Sequence, residues 1–155
     1  MNMIPEAYEH LRKEHPVLPE FDKINKEFEL SLIEHDVFLL SGIKRKIAEK
    51  FETCLHVMEH SLSPDPGSFT DMYECRAITH GEKKQLLEIL KQFMEHYRLL
   101  LETDLIAEDK TDAETIRKVY DMWVVQKKQL LPFIKKIRES WTKNIPAEEI
   151  QEYLG

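Results

Sequence analysis

The segment ETCLHVMEH, which begins at Glu52, places a carboxylate and two imidazoles at steps of four residues. Residues four apart on an α-helix lie on one face a turn apart, so Glu52, His56 and His60 would form one stripe. His-x-x-x-His is a spacing found in metal sites, but two histidines do not complete one. Cys75 and His80, in the connection that follows, are candidates for the missing ligands. The sequence thus offers a metal site of these five residues, with zinc or iron as the ion.

A solvated helix face is the other interpretation of this stripe. The apolar side of the same segment is centred on Phe51, Leu55, Met58 and Leu62. At about 100° per residue, both imidazoles point away from that side. Cys54 lies about 160° around the helix from His56, so it cannot join a shared ion while the segment is helical. The sequence leaves the two interpretations open.

Other familiar chemistries find no support in the residue pattern. With only 4 Gly in 155 residues, the chain has neither a GxGxxG nor a GxxxxGK[ST] phosphate loop. No histidine has a glutamate three residues before it, so the Glu-x-x-His motif of carboxylate-bridged di-iron bundles is absent. Spacing cannot identify a catalytic triad, because its members meet only in the fold. We therefore predict no catalytic residue and no required cofactor, and we favour a non-enzymatic function.

Length and composition indicate one globular domain over residues 1–155. Apolar residues make up 42% of the chain and charged residues 33%, which is typical of a folded protein. The net charge of −7 disfavours a general nucleic-acid binder. Two cysteines without a disulfide spacing, and an N-terminal segment unlike a secretory signal, predict a cytoplasmic location. No apolar run approaches the roughly 20 residues that span a bilayer, so we expect no membrane association.

Helical periodicity dominates the second half of the chain. Apolar side chains recur at steps of three and four over two long segments, which predicts helices near 81–108 and 112–142. Capping boxes that begin at Thr79 and Thr111 precede them. Only a few polar residues separate the segments, so the helices should form an antiparallel hairpin. Pro132 should kink the second helix, because proline cannot donate a backbone hydrogen bond.

The first half predicts a third long helical segment and short flanking elements. Residues 20–62 have a helical pattern, but a straight helix of that length would run about 64 Å, too long for a compact domain. We therefore expect a break at Ser41-Gly42, where the apolar stripe changes phase. Residues 63–80 should be irregular, and short helices should lie near 5–14 and after Pro146. The predicted fold is all-α, an antiparallel bundle of three to four long helices plus short terminal helices.

Residues 30–43 carry more apolar side chains than one helix face needs. A second stripe lies roughly opposite the first and consists of Ile33, Val37 and Leu40. A helix apolar on both faces must be covered on both, either by the short terminal helices or by another copy of the chain. Met122 and Val125, on the far side of the last long helix, add to this surplus. We expect a homo-oligomer, most simply a symmetric dimer, with another protein partner as an option.

Three polar residues interrupt the apolar stripes. His35 follows Phe28 and Leu32 in the first stripe, so we expect it to be buried or at an interface, and hydrogen-bonded. Asp104 and Lys127 occupy stripe centres in the later helices, where we expect structural ion pairs at the rim of the core.

Basic residues cluster in two places. Residues 127–143 carry six basic residues and one acid, and Lys44-Arg45-Lys46 forms a second cluster with Lys50. Positive charge near a helix C-terminus complements the helix dipole, so part of this pattern is structural. The function we predict is a non-enzymatic interaction and assembly module that self-associates. A metal-binding bundle is the alternative, and an anion or nucleic-acid binder acting through the basic C-terminal end is a weaker one.

Overall fold

The structure, a computed structural model, describes residues 3–154. Within that range it has seven α-helices and no strand. They are α1 (Ile4–Glu14), α2 (Phe21–Phe28), α3 (Leu39–Leu62), α4 (Phe69–Arg76), α5 (His80–Ile106), α6 (Asp109–Ser140) and α7 (Ala147–Leu154). A 3₁₀ turn, Leu30–Leu32, follows α2. The predicted all-α bundle with long helices and short terminal ones is confirmed.

The chain packs into two compact units, and each of the three long helices contributes to both. The first unit comprises residues 1–53 and 94–124, and the second comprises residues 54–93 and 125–155. Buried apolar side chains of the first unit include Ile24, Phe28, Ile43, Ile47, Phe51, Leu100, Ile116, Val119 and Trp123. Those of the second include Leu55, Met58, Ile78, Leu86, Ile89, Phe93, Leu130, Phe133 and Ile137. Each unit therefore has an apolar core of its own.

Aromatic side chains anchor the core of the first unit. The rings of Phe51 and Trp123 stack with centroids 5.9 Å apart, and Phe28 lies 5.5 Å from Trp123. The indole N–H of Trp123 donates to Oε2 of Glu27 at 2.6 Å, so its polar atom is satisfied at the edge of the core.

The interruption in the first long helical segment lies earlier than predicted. α2 ends because Glu29 adopts a left-handed conformation (φ 55°) and donates its N–H to the carbonyl of Asn25 at 2.7 Å. The Asn25 side chain then accepts the N–H of Ser31 at 2.8 Å, which stabilises the turn. Residues 29–38 supply the break, whereas Ser41-Gly42 lies inside α3. The prediction of a break at Ser41-Gly42 was wrong.

The burial of several side chains differs from what the sequence predicted. His35 lies in the irregular segment and is exposed, so it is not buried within the chain, and its place at an interface stays a prediction. Leu40 and Met122 are buried within the chain, so these two side chains do not need another copy of the chain to cover them. Val37 and Val125 are exposed, at 69% and 53%.

The hairpin between α5 and α6 begins with one of the two predicted capping boxes. The N–H of Thr79 donates to Oε1 of Glu82 at 3.2 Å, and the N–H of Glu82 donates to Oγ1 of Thr79 at 3.2 Å. The left-handed Ala107 (φ 54°) ends α5. α6 begins at Asp109, so Thr111 lies within its first turn and the second predicted capping box was wrong. α6 continues as one helix through Pro132.

The connection predicted to be irregular contains α4. Ser68 is its N-cap, and its hydroxyl oxygen accepts the N–H of Asp71 at 3.2 Å. The prediction for residues 63–80 was therefore wrong over α4. The pattern Ser-x-x-Asp is itself a helix-start signal, and it was available in the sequence.

Candidate functional site

The helix face predicted to carry metal ligands points away from the core, as the angular positions of its residues predicted. Leu55 and Met58 are buried in the second unit, whereas His56 is exposed and His60 is half-buried. The two imidazole rings lie beside each other, with centroids 4.0 Å apart and planes at 44°. The four-residue spacing therefore places both rings on one accessible face.

His60 is held by a carboxylate that the sequence interpretation did not include. Its Nδ1 lies 2.6 Å from Oδ2 of Asp71, a side chain that also accepts the N–H of Asp65 at 3.1 Å. The hydrogen bond from His60 is the main cause that lowers the pKa of the Asp71 carboxyl below its ordinary value. Because an ionised carboxylate only accepts, neutral His60 donates from Nδ1 and carries its lone pair on Nε2.

The other three predicted ligands have different surroundings. Glu52 belongs to the first unit, where its carboxylate accepts the hydroxyl of Tyr97 at 2.7 Å. Cys75, on α4, accepts a hydrogen bond from the ammonium of Lys83 at 3.2 Å. His80 is exposed at the start of α5.

The described part of the chain, residues 3–154, contains no group of three or more His, Cys, Asp or Glu side chains placed to hold a metal ion. Of the four predicted residues in the second unit, the structure pairs His56 with His60. Asp71 is the addition that sequence reasoning missed. The signal that would have found it is its place in the first turn of α4, three residues after the capping Ser68.

An exposed apolar surface in the first unit is a second candidate. This Phe38 surface consists of Leu32, Val37 and Phe38, whose side chains are 62%, 69% and 83% exposed. The three residues line an open cleft of about 410 Å³. Phe38 adopts a left-handed conformation (φ 56°), which a bulky side chain rarely takes.

Charges of both signs border the Phe38 surface. Glu34, Arg45, Lys46 and Glu49 line the same cleft. The ammonium of Lys46 donates to Oε2 of Glu49 at 3.3 Å, an exposed pair one turn apart on α3. The apolar patch thus has a polar rim of mixed charge, as protein interfaces have.

A buried charge cluster in the first unit was not anticipated. Lys44 is 2% exposed, donates to Oδ1 of Asp112 at 2.7 Å and to the hydroxyl of Thr103 at 3.3 Å, and forms an ion pair with Asp104. The structural ion pair expected for Asp104 is confirmed, with Lys44 as its partner. Grouping Lys44 with a basic surface cluster was wrong. It follows Leu40 by four residues, on the buried stripe of α3.

Two of the six basic residues of the C-terminal segment 127–143 lie beside acidic partners. Lys136 pairs with Glu82, and Arg138 lies 3.8 Å from Glu139. The hydrogen bond from Lys136, followed by those from Thr79, lowers the pKa of Glu82 to about 2. An anion that bound Lys136 or Arg138 would have to compete with these carboxylates.

Comparisons of the chain with protein-family models, with curated proteins and with solved structures found no match. None of the helices between residues 3 and 154 has an apolar stretch sufficient to cross a bilayer.

Proposed function

We propose that this chain is a non-enzymatic assembly module that self-associates as a two-fold dimer through the Phe38 surface. The observation that carries the proposal is the 83% exposure of an aromatic side chain in a left-handed backbone conformation. Solvation does not account for such an arrangement, because an exposed phenyl ring gains nothing from water. Burial of Phe38, Val37 and Leu32 against another molecule would remove their apolar area from water.

Backbone strain at Phe38 supports the same proposal. A left-handed conformation costs a residue with a Cβ about 1–2 kcal/mol. Strained residues cluster at functional sites, where the strain is kept because the side chain is needed in that direction. At Phe38 this conformation starts α3, whose Gly42 N–H donates to the Phe38 carbonyl at 3.1 Å, and it leaves the ring outside the core.

A second copy of the chain is the partner that best fits the charges around this surface. The border carries acids, Glu34 and Glu49, together with bases, Arg45 and Lys46. A strongly charged partner would meet repulsion from one of the two sets. In a two-fold contact, each copy presents both signs, so acids of one copy can face bases of the other.

Sedimentation equilibrium of the wild-type chain and of Phe38→Gly tests the proposal. Truncation of an aromatic anchor costs about 2 kcal/mol of binding or more, which corresponds to about a thirtyfold or larger rise in the dimer dissociation constant. Glycine also accepts the left-handed conformation, so the variant loses the side chain without losing the turn. We expect wild-type dimers, and Phe38→Gly monomers at the same concentration.

Ala107→Gly is the matched control, because Ala107 is also left-handed and lies in the same unit. Ala107→Gly should relieve backbone strain to a similar extent and leave dimerisation unchanged. Val125→Ser, which removes an exposed apolar side chain from the second unit, should leave it unchanged as well. A wild-type monomer at all concentrations tested, or a Phe38→Gly variant that dimerises as well as the wild type, would overturn the proposal.

A further inference from the structure

Two histidines of the second unit lie close enough together to share one ligand. His56 and His60 lie one helical turn apart on α3, and their ring centroids are 4.0 Å apart. His56 is exposed and the His60 side chain is 39% exposed, so an ion from solvent can reach both rings. Imidazole nitrogen is a preferred ligand of Zn²⁺ and of other divalent transition metals.

The orientation of His60 adds an independent argument. Asp71 accepts a hydrogen bond from Nδ1 at 2.6 Å, which leaves Nε2 as the ring nitrogen for a metal ion. Carboxylates placed in this way behind a histidine are a recurrent feature of metal sites, because they fix the tautomer and raise the basicity of the ligating nitrogen.

The carboxylate is itself held firmly. Asp71 is 8% exposed, and its Oδ2 accepts the N–H of Asp65 at 3.1 Å. Its backbone N–H donates to the Ser68 hydroxyl at the start of α4. The loop between α3 and α4 and the N-terminal cap of α4 therefore both hold the Asp71 side chain in position behind His60.

We propose that His56 and His60 bind one divalent transition-metal ion, with Asp71 as the positioning residue behind His60. Two imidazoles supply the protein ligands, and water completes the coordination. The site differs from the five-residue set that the sequence suggested, because Glu52, Cys75 and His80 take no part in it. It is independent of the Phe38 surface, which lies in the other unit.

Calorimetric titration of Zn²⁺ into untagged, chelator-treated protein tests the proposal. We expect saturable binding of one ion per chain. His56→Asn and His60→Asn should each abolish saturable binding, and both variants should fold because these side chains are not part of the core. Asp71→Asn retains both ligands, so it should weaken binding about 10–100-fold rather than abolish it.

The positioning role of Asp71 is tested by a measurement that would stay the same if Asp71 only stabilised the fold. Two-bond ¹H–¹⁵N spectra of the histidine rings report the tautomer directly. In the wild type, His60 should be protonated on Nδ1, with the metal shifting the Nε2 resonance. In Asp71→Asn that tautomer preference should weaken even where circular dichroism shows an unchanged helix content.

Glu52→Gln, Cys75→Ala and His80→Asn are the control variants, and each should bind Zn²⁺ as the wild type does. Loss of binding in Cys75→Ala or His80→Asn would overturn the two-histidine site in favour of the larger set. Absence of saturable binding to the wild type, or binding that persists in both His56→Asn and His60→Asn, would also overturn it.

Discussion

Replacement of Lys44 by methionine should destabilise the first unit severely. Lys44 is 2% exposed, and Asp112, its partner at 2.7 Å, has a side chain that is 6% exposed. Methionine keeps much of the unbranched apolar stem but removes the ammonium. The variant therefore leaves the Asp112 carboxylate inside the protein without its cation and leaves the hydroxyl of Thr103 without its donor.

Loss of each of the two ion pairs of Lys44 should lower the unfolding free energy by a different amount. Removal of one partner from a buried pair costs about 3–5 kcal/mol, because the remaining charge stays buried and uncompensated. Lys44→Met should therefore lose about 3–5 kcal/mol of unfolding free energy. Asp104 has a 55% exposed side chain, so Asp104→Asn breaks a solvated contact and should lose about 1 kcal/mol or less.

A double variant separates the cost of an unpaired charge from the worth of the pair. Replacement of both members of a buried ion pair by apolar residues is often neutral. Lys44→Met combined with Asp112→Leu should thus be more stable than Lys44→Met alone. The coupling energy from this double-mutant cycle measures how much of the lost stability arises from the Asp112 carboxylate that remains buried without its cation.

Urea unfolding at pH 7, followed by circular dichroism and by tryptophan fluorescence, provides the measurement. Coincident transitions by the two probes justify a single unfolding free energy, and an unchanged slope shows that the midpoint shift reports stability. A loss from Lys44→Met no larger than that from Asp104→Asn would refute the reasoning. It would mean that water reaches the Lys44 ammonium in solution and that the cluster is not a buried one.

Two further predictions concern hydrogen bonds of the fold. The pKa of Glu82 is about 2 in the folded chain and 4.5 ordinarily, so the stabilisation by Lys136 and Thr79 is complete above about pH 4.5 and is lost as pH falls towards 2. The urea midpoint of Glu82→Gln should accordingly fall less across this acid range than that of the wild type. Burial holds the pKa of Tyr8 well above 10, so the stability that its neutral hydroxyl contributes is lost as pH rises beyond 10. Tyr8→Phe removes the 2.7 Å bond to the Pro19 carbonyl, which should cost about 1–3 kcal/mol at pH 7 and flatten the alkaline loss, as urea unfolding at pH 7 and pH 11 would show.

The periodicity of apolar residues predicted the long helices, because burial of those apolar faces is what stabilises the helices. The stripes over residues 81–108 and 112–142 correspond to α5 and α6, and the outward direction of His56 followed from the same angular argument. The capping box at Thr79 was also predictable, since its two hydrogen bonds join residues three apart in the chain. These features depend on local geometry, which a sequence records directly.

The break between α2 and α3 could not be placed by the same means. Its position depends on the left-handed Glu29 and on the Asn25 side chain that accepts the N–H of Ser31, and neither residue interrupts the apolar pattern. The break was predicted at Ser41-Gly42 because the apolar stripe changes phase there. The helix continues through that point, and the flanking Leu40 and Ile43 are both buried.

The difference between Lys44 and His60 shows why environment alone does not identify a functional residue. Both are polar, both lie on α3, and both are held by an aspartate on another helix. The Lys44 ammonium is engaged by three partners in a buried site, so it has no donor left to offer a ligand and its role is to hold the fold together. His60 uses one nitrogen for Asp71, and its side chain is 39% exposed, so its second nitrogen is the one left for a ligand. The sequence shows that both residues are polar groups on an otherwise apolar helix pattern or beside it. The structure is needed to show which of their nitrogen atoms already have hydrogen-bond partners, and this distinguishes a structural charge from a candidate ligand.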